Sequence, residues 1–345
     1  MAMKQLHTLF FSIAALLAPI LCAQESASEY GYVSPFESRT ANPIRLGILD
    51  PNPMNAIPLG EKRFMTTVQL EYVSVFWSDD TRTPALYFAD GELTRINISA
   101  GYGVSDKLDI VLDLPFYSWQ AGFLDRPLTD YHEILSVPNA GREDFPFDVL
   151  RNEVRDTSGS KVWKGEGRGA KGGDISAWFR YHLLRDDDFP VDSTFDLALR
   201  GGIKLPTGSR SGGFSSEHLD LNAGLLASLR MHRIGLDSSL DVVIPTGHSL
   251  DDSPDYDVLP FAKFMLSLQL AVSSKLYGVA QIAAYSPSFS TDINNIENVD
   301  GISVLGTFGG VIKFDNAEFQ FGVGEDMNQQ GEADFSLLVA LKFNW

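Results

Sequence analysis

The feature that most constrains this chain is the two-residue alternation of its last thirteen positions, 333–345. Phe335, Leu337, Val339, Leu341, Phe343 and Trp345 share one parity, whereas Asp334, Ser336, Lys342 and Asn344 share the other. Successive side chains of a strand point to opposite faces, so this period predicts a strand with one apolar and one polar face.

The same pattern recurs upstream. From Phe64 onward the chain reads as twelve strands, at 64–78, 92–104, 108–118, 173–184, 193–206, 219–231, 234–246, 257–271, 275–286, 302–313, 316–326 and 333–345. In the third, Leu108, Ile110, Leu112, Leu114 and Phe116 oppose Asp109 and Asp113. In the fourth, Ile175, Ala177, Phe179, Tyr181 and Leu183 oppose Asp174, Ser176, Arg180 and His182. In the fifth, Phe195, Leu197, Leu199, Ile203 and Leu205 oppose Asp196, Arg200 and Lys204. The ninth is ambiguous, because residues 280–284 are apolar or small on both parities.

The connections alternate in length. Those at 105–107, 185–192, 232–233, 273–274 and Asp315 are short; those at 79–91, 119–172, 207–218, 247–256, 287–301 and 327–332 are long or moderate. Short turns at one end and long loops at the other describe a membrane β-barrel, and an even count lets it close with both chain ends on the short-turn side. Pro115, Pro206, Pro245 and Pro287 fall at the loop-side ends of strands that follow a short turn, where a residue without an N–H does not break the ladder. Leu205-Pro206-Thr207-Gly208 and Ile244-Pro245-Thr246-Gly247 are near-copies, so the repeating unit is a hairpin.

A propeller, a sandwich or a soluble barrel would also supply many strands, with the apolar parity inside. Here the polar parity carries unlike charges on neighbouring strands: Arg95, Arg180, Arg200, Lys204 and Arg230 beside Glu71, Asp109, Asp113, Asp174, Asp196, Asp220, Asp237 and Asp241. Lipid accepts the leucine and phenylalanine face, a closed ladder satisfies every backbone group, and the charges face a wet interior. The expected fold is therefore all-β: a transmembrane antiparallel up-and-down β-barrel of about twelve strands, with an irregular N-terminal segment and one long outer loop. Beyond the N-terminus no run approaches the ~20 apolar residues of a spanning helix.

Residues 1–23 read as a cleaved secretory signal peptide, with Lys4, an apolar run from Leu9 to Leu21 and the site Leu21-Cys22-Ala23. The single cysteine, Cys22, lies inside it; acylation there is disfavoured by the bulk of Leu21. Residues 24–60 hold Asn42-Pro43, Asp50-Pro51, Asn52-Pro53 and Ile57-Pro58 without any period, and read as an irregular leader or a strap inside the lumen. Residues 61–345 form the barrel, with the long outer loop at 119–172. The net charge of −18 repels phosphate backbones, which excludes nucleic acid as a partner.

Several motifs carry a family resemblance. Gly101-Tyr102-Gly103-Val104-Ser105-Asp106-Lys107-Leu108-Asp109 with Leu114-Pro115-Phe116 resembles a hairpin of Gram-negative outer-membrane proteins associated with phenol and hydrocarbon degradation. Gly173-Asp174-Ile175 with Arg180-Tyr181, and Gly202-Ile203-Lys204-Leu205-Pro206-Thr207-Gly208, resemble the same proteins. Arg39 with Asn42-Pro43, and Asp130-Tyr131-His132 followed by Pro138-Asn139-Ala140-Gly141-Arg142, are similar to a narrower group of outer-membrane barrels of unassigned function. The terminal strand resembles the assembly signal of bacterial outer-membrane barrels, with Phe335, Leu337, Val339, Leu341, Phe343 and Trp345 as its residues; an ordinary terminal strand is the alternative. These resemblances imply the outer membrane of a Gram-negative bacterium as location. They imply outer-membrane lipid, the barrel assembly machinery and periplasmic chaperones as partners, and a monomer.

Loops longer than about 15 residues without regular structure are usually functional or disordered. The loop at 119–172 holds Trp119, Phe123, Tyr131, His132, Phe145, Phe147 and Trp163, which predicts packing, partly into the lumen, with a short helix from Phe147 to Val154. Asp130, His132 and Arg142 are candidates for holding a polar group at a constriction; the competing reading is that they fix the loop. In the lumen Asp109, Asp113, Arg180, His182, Asp196, Arg200 and Lys204 are candidates for a constriction, or for a cross-strand network that stiffens the wall, since a single-sign ring would be needed for ion selectivity.

No cofactor or catalytic group is indicated. His7, His132, His182, His218, His232 and His248 are scattered singly, without metal-ligand spacing. The one local His/Ser pair, His248-Ser249, lies in a loop and lacks the context of an outer-membrane acyl hydrolase. The leading functional expectation is a channel or uptake conduit for a small solute. The alternatives are a plugged structural or interaction barrel and, more remotely, an outer-membrane lipid hydrolase.

Overall fold

The computed structural model describes residues 31–78, 87–135, 141–155, 158–165, 167–187, 193–247, 256–291, 301–328 and 331–345. The proposed signal peptide and His248-Ser249 lie outside the described residues.

Twelve long strands follow in order: β1 (Phe64–Ser78), β2 (Tyr87–Gly103), β3 (Leu108–Gln120), β4 (Ile175–Asp186), β5 (Ser193–Leu205), β6 (Asp220–Met231), β7 (Ile234–Pro245), β8 (Phe261–Ala271), β9 (Leu276–Tyr285), β10 (Ser303–Lys313), β11 (Ala317–Asp326) and β12 (Phe335–Asn344). Each pairs antiparallel with its neighbour, and β1 pairs with both β2 and β12, so the sheet closes. At the seam the register runs from Met65 opposite Asn344 to Ser74 opposite Phe335. Among the described residues no helix is long and apolar enough to cross a membrane.

The faces are inverted relative to a soluble protein. Leu240 is 56% exposed and its neighbour Asp241 is fully buried, and the contrast repeats around the wall. Leu70, Ile96, Leu112, Phe179, Leu199, Leu225, Phe264, Phe321 and Leu341 point outward, while Glu71, Arg95, Asp113, Arg180, Arg200, Ser228, Lys263, Gln320 and Ser336 point into the lumen. An apolar exterior of this kind needs lipid as its solvent, which makes the barrel a transmembrane one.

The strands depart from expectation where local chemistry intervenes. β2 starts five residues early, because it extends beyond the rim and pairs there with a short strand, Arg151–Arg155. The expected strand at 257–271 is split. Tyr256–Val258 pairs with Phe289–Thr291 apart from the barrel sheet, and Pro260, without an N–H, separates it from β8. Pro115 lies within β3 rather than at its end, at the point where the partner changes from β4 to the two-residue strand Lys171–Gly172. There its carbonyl accepts a hydrogen bond from Gly173 N at 2.9 Å. A bulge between His182 and Leu184 leaves both Leu183 and Leu184 exposed.

Residues 31–60 are a strap inside the lumen. Tyr32 donates to the carbonyl of His232 beside a short turn, Phe36 meets Gln281 in mid-barrel, and Asn42 reaches Tyr87 near the loop rim. A 3₁₀ turn, Pro43–Arg45, forms the apex; the Asn42 side chain caps it by accepting from Ile44 N. The chain then descends past Asp220, Arg200, Arg180 and Asp109 to β1. The strap is thus a hairpin whose two arms share the short-turn mouth.

The long loop is not a helix at 147–154, where the strand Arg151–Arg155 stands instead. Its helix is α1 (Asp125–Leu135). Nor does its first half enter the lumen. Gly122, at φ +75°, reverses the chain so that Phe123 N and Leu124 N donate to Glu92, which faces outward on β2. The segment then covers the outer side of the wall at the loop rim, where the rings of Phe76 and Phe88 meet Phe145 at 5.5 and 5.3 Å. Only the second half turns inward, burying Trp163 against the hairpin apex among Ile44, Leu46 and Ile48.

Candidate functional site

The site is the contact between the hairpin and the lumen wall. Alternation supplies the wall side, because each strand presents its polar parity inward. The hairpin supplies four charged residues, Glu37, Arg39, Arg45 and Asp50, together with backbone groups that its prolines keep out of regular structure.

Near the short-turn mouth Arg180 Nε donates to Asp109 Oδ2 at 2.7 Å, and Arg180 Nη1 donates to the Asn55 carbonyl at 2.9 Å. Asp109 also accepts from Leu59 N at 2.9 Å. Ala56 N donates to Ser228 Oγ at 2.9 Å, and Ser228 in turn bonds Asp237, the partner of Arg230. His182 Nε2 lies 2.9 Å from Asp196 Oδ1, so these two candidates meet each other rather than the hairpin.

At mid-height Arg200 pairs with Asp241 (Nε–Oδ1 2.9 Å) and donates to the Asn52 carbonyl. Arg39 pairs with Asp113, and Arg95 pairs with Glu71 while donating to the carbonyls of Arg39 and Thr40, each at 3.0 Å.

Towards the loop rim Lys204 bridges Asp174 (3.0 Å) and Asp220 (2.8 Å) and donates to the Gly47 carbonyl. Gly47 has to be glycine, since a Cβ there would meet the backbone of Ser215 and Ser216 at 2.8 Å. Lys263 Nζ donates to Asp50 Oδ1 at 2.6 Å, and Arg45 reaches Glu332 (3.2 Å) while stacking 4.4 Å above the Tyr285 ring.

Two properties set what this arrangement can do. Among the described residues no backbone-to-backbone hydrogen bond joins 31–59 to a barrel strand, so the hairpin is held by side chains alone. Polar lining also exceeds what the hairpin engages: Gln69 Oε1, Asn222 Oδ1, Gln281 Oε1 and Thr307 Oγ1 are buried without a protein partner. Buried polar groups in native proteins are normally satisfied, by water if not by protein, so this lining suits a hydrated passage.

The hairpin divides the interior. A cavity of about 310 Å³ remains at the loop rim, between the apex residues Ile44 and Ile48, Trp163, Phe289 and the polar group Lys164, Arg210 and His218. Another of about 460 Å³ remains at the short-turn mouth, beside Glu37, Arg63, Arg180, Arg230, Lys313 and Glu318. A space of only about 30 Å³ lies between the hairpin and the wall near Arg39, Arg95 and Lys204.

The lumenal candidates are all buried: Asp109, Asp113, Arg180, Arg200 and Lys204 are paired with opposite charges, and His182 and Asp196 are hydrogen-bonded to each other. The loop candidates are not brought together. Asp130 is exposed on α1, His132 is buried beside the Tyr131 ring, and Arg142 lies against the outside of the wall. Arg142 pairs there with Asp125 and with Asp334 (2.5 Å) and donates to Ser74 Oγ at 3.1 Å. Arg45, Asp50 and Lys263 were not identified from the sequence. Their signal was the presence of charges in a Pro/Asn-rich segment, facing a wall with charges to match. Among the described residues no group of three His, Cys, Asp or Glu side chains is placed to hold a metal ion.

Solved structures share this architecture. An outer membrane channel from Pseudomonas putida F1 is 9% identical, overlays 86% of this chain and 100% of its own, and gives a TM-score of 0.52. The NanC porin is 9% identical over 81% of this chain and 98% of its own, with a TM-score of 0.44. A deletion mutant of the TodX monoaromatic hydrocarbon channel is 11% identical over 90% and 99%, with a TM-score of 0.37. Of these three, the Pseudomonas putida channel alone is similar enough to show a shared fold. No curated protein matches the sequence. The family model described as a protein of unknown function (DUF3187) matches residues 12–345, and the chain belongs to that family.

Proposed function

We propose that this protein is an outer-membrane channel for small solutes, held shut by its own N-terminal hairpin. The observation that carries the reading is the side-chain-only attachment of residues 31–59 within a polar lumen. A plug built as an extra strand would have to break a ladder to leave. This one exchanges ion pairs and side-chain bonds, which water or a polar solute can replace. The two end cavities are the solute's access sites, and the rim cavity offers apolar and cationic contacts together.

The specific test is single-channel recording in planar bilayers. The full-length protein is expected to stay closed or flicker, and a variant lacking 31–59 is expected to conduct steadily. A deletion variant that runs as folded, heat-modifiable barrel yet conducts no ions overturns the channel reading in favour of a structural or interaction barrel. That second reading draws on the pairing of every lumenal candidate charge described above.

A further inference from the structure

We propose that the outside of the barrel, over the loop end of β1 and β2, carries a seat for a phosphate-bearing lipid of the leaflet that the loops face. The strand Arg151–Arg155 pairs with the start of β2, placing Arg151 opposite Asp90 and Glu153 opposite Phe88. These positions share the parity of Ile96 and Tyr102, which face lipid lower on β2. The cluster therefore looks outward, above the apolar belt.

Glu153 is 1% exposed, and three cations converge on it: Arg151 at 2.5 Å, Arg155 at 2.8 Å, and Lys161. Burial alone would raise the Glu153 carboxyl, but hydrogen bonds from Arg151, Lys161 and Arg155 outweigh it and hold the group down to about 2. The acid is thus ionised throughout the physiological range, and three cations surround it, with Asp90 opposite Arg151 as the second acid of the cluster. The surrounding segment 151–171 has six cations against three acids in a chain whose net charge is −18. Guanidinium pairs and ammonium groups at a membrane surface are the chemistry that recognises phosphate headgroups.

The neighbouring α1 supplies the acyl-chain side of the seat. Arg151 stacks on Phe88, whose ring contacts Phe145 and Phe76; Arg142 lies over Phe76 and pairs with Asp125 of α1. Phe123, Tyr131 and Ile134 are 64%, 41% and 81% exposed. They also continue the lipid-facing belt: the Phe123 ring is 5.9 Å from Tyr72, and the Tyr131 ring is 6.4 Å from Phe335. A short amphipathic helix with exposed aromatics at the rim of such a belt lies in the headgroup–acyl boundary.

The test is native mass spectrometry of the full-length protein in detergent, offered lipid A with both phosphates or the same lipid after phosphatase treatment. The phosphorylated lipid is expected to be retained about tenfold better or more, as two surface cations would provide. Arg151→Gln with Lys161→Gln should abolish that preference, whereas Lys62→Gln with Lys107→Gln at the short-turn end should preserve it. Equal retention of the two lipids by the wild-type protein, a comparison that requires no variant to fold, overturns the proposal. So does displacement of the lipid by millimolar inorganic phosphate, which would mark a site for the free ion.

Discussion

Arg39 Nη2, on the ascending arm of the hairpin, lies 2.5 Å from Asp113 Oδ2 on β3. Asp113 also accepts from Trp178 Nε1 of β4 at 2.7 Å and from Ser99 Oγ of β2 at 2.6 Å, so one hairpin residue meets a carboxylate shared by three strands. Arg39→Ala leaves that carboxylate with neutral donors only. Breaking a buried pair from one side costs about 3–5 kcal/mol. The barrel's ladder does not depend on Arg39, so the loss should fall on hairpin docking. The expected result is an intact heat-modifiable barrel with new protease cleavage within 31–60 and more frequent openings in bilayers. Cleavage kinetics matching the wild type would show that the pair does not hold the hairpin.

The exterior clasp should respond to pH. Burial pushes the Asp334 carboxyl up to about 6 despite Arg142, and Asp326 and Asp125 push in the same direction. An exposed aspartate titrates near ~3.9. The docked loop thus binds the proton more tightly than the undocked one, and docking strengthens as pH falls from above 6 towards 4. Amide exchange in α1, corrected for intrinsic rates, should be slower at about pH 5 than at about pH 7.5. Arg142→Ala should loosen the clasp most at the higher pH, because it strips the counter-charge from Asp125 and Asp334. A clasp that tightens as pH rises contradicts this account.

Trp345 closes the seam at its short-turn end. Its N donates to the Phe64 carbonyl at 2.9 Å, its carbonyl accepts from Phe64 N at 3.2 Å, and its exposed ring stacks on Phe343 with centroids 5.8 Å apart. Deleting Trp345 removes both backbone bonds and the aromatic end of the lipid-facing parity. The expected result is slower membrane insertion, read as a reduced heat-modifiable fraction in a pulse-chase experiment. Trp345→Phe should retain most of it. Wild-type kinetics for the deletion would leave this residue without an assembly role.

The barrel was legible because alternation is a local property. Leu337 and Ser336 disclose their faces within two residues, and the short turns fix the order of neighbours. What could not be read needed partners distant in sequence. Nothing near Arg39 points to Asp113, and nothing near Asp50 points to Lys263; their meeting depends on the closed wall. The loop misled for a related reason. Its aromatics correctly signalled packing, but the outward parity of Glu92 and Phe88, which draws the loop outside, is not visible in sequence, where Glu92 opens a strand and Phe88 falls in the connection at 79–91. Pro115 looked like a strand end because the change of partner that accommodates it is invisible in one dimension.

The hairpin's two arms leave by one mouth, and this decides what kind of motion is available to it. A segment that crossed the barrel from end to end could come out only by threading a free end through the whole pore. A doubled-back segment can withdraw as a piston does, apex last, with no knot to undo and no parting of the wall. Its C-terminal arm stays tethered to β1 throughout, so the same segment can return without searching for its bore.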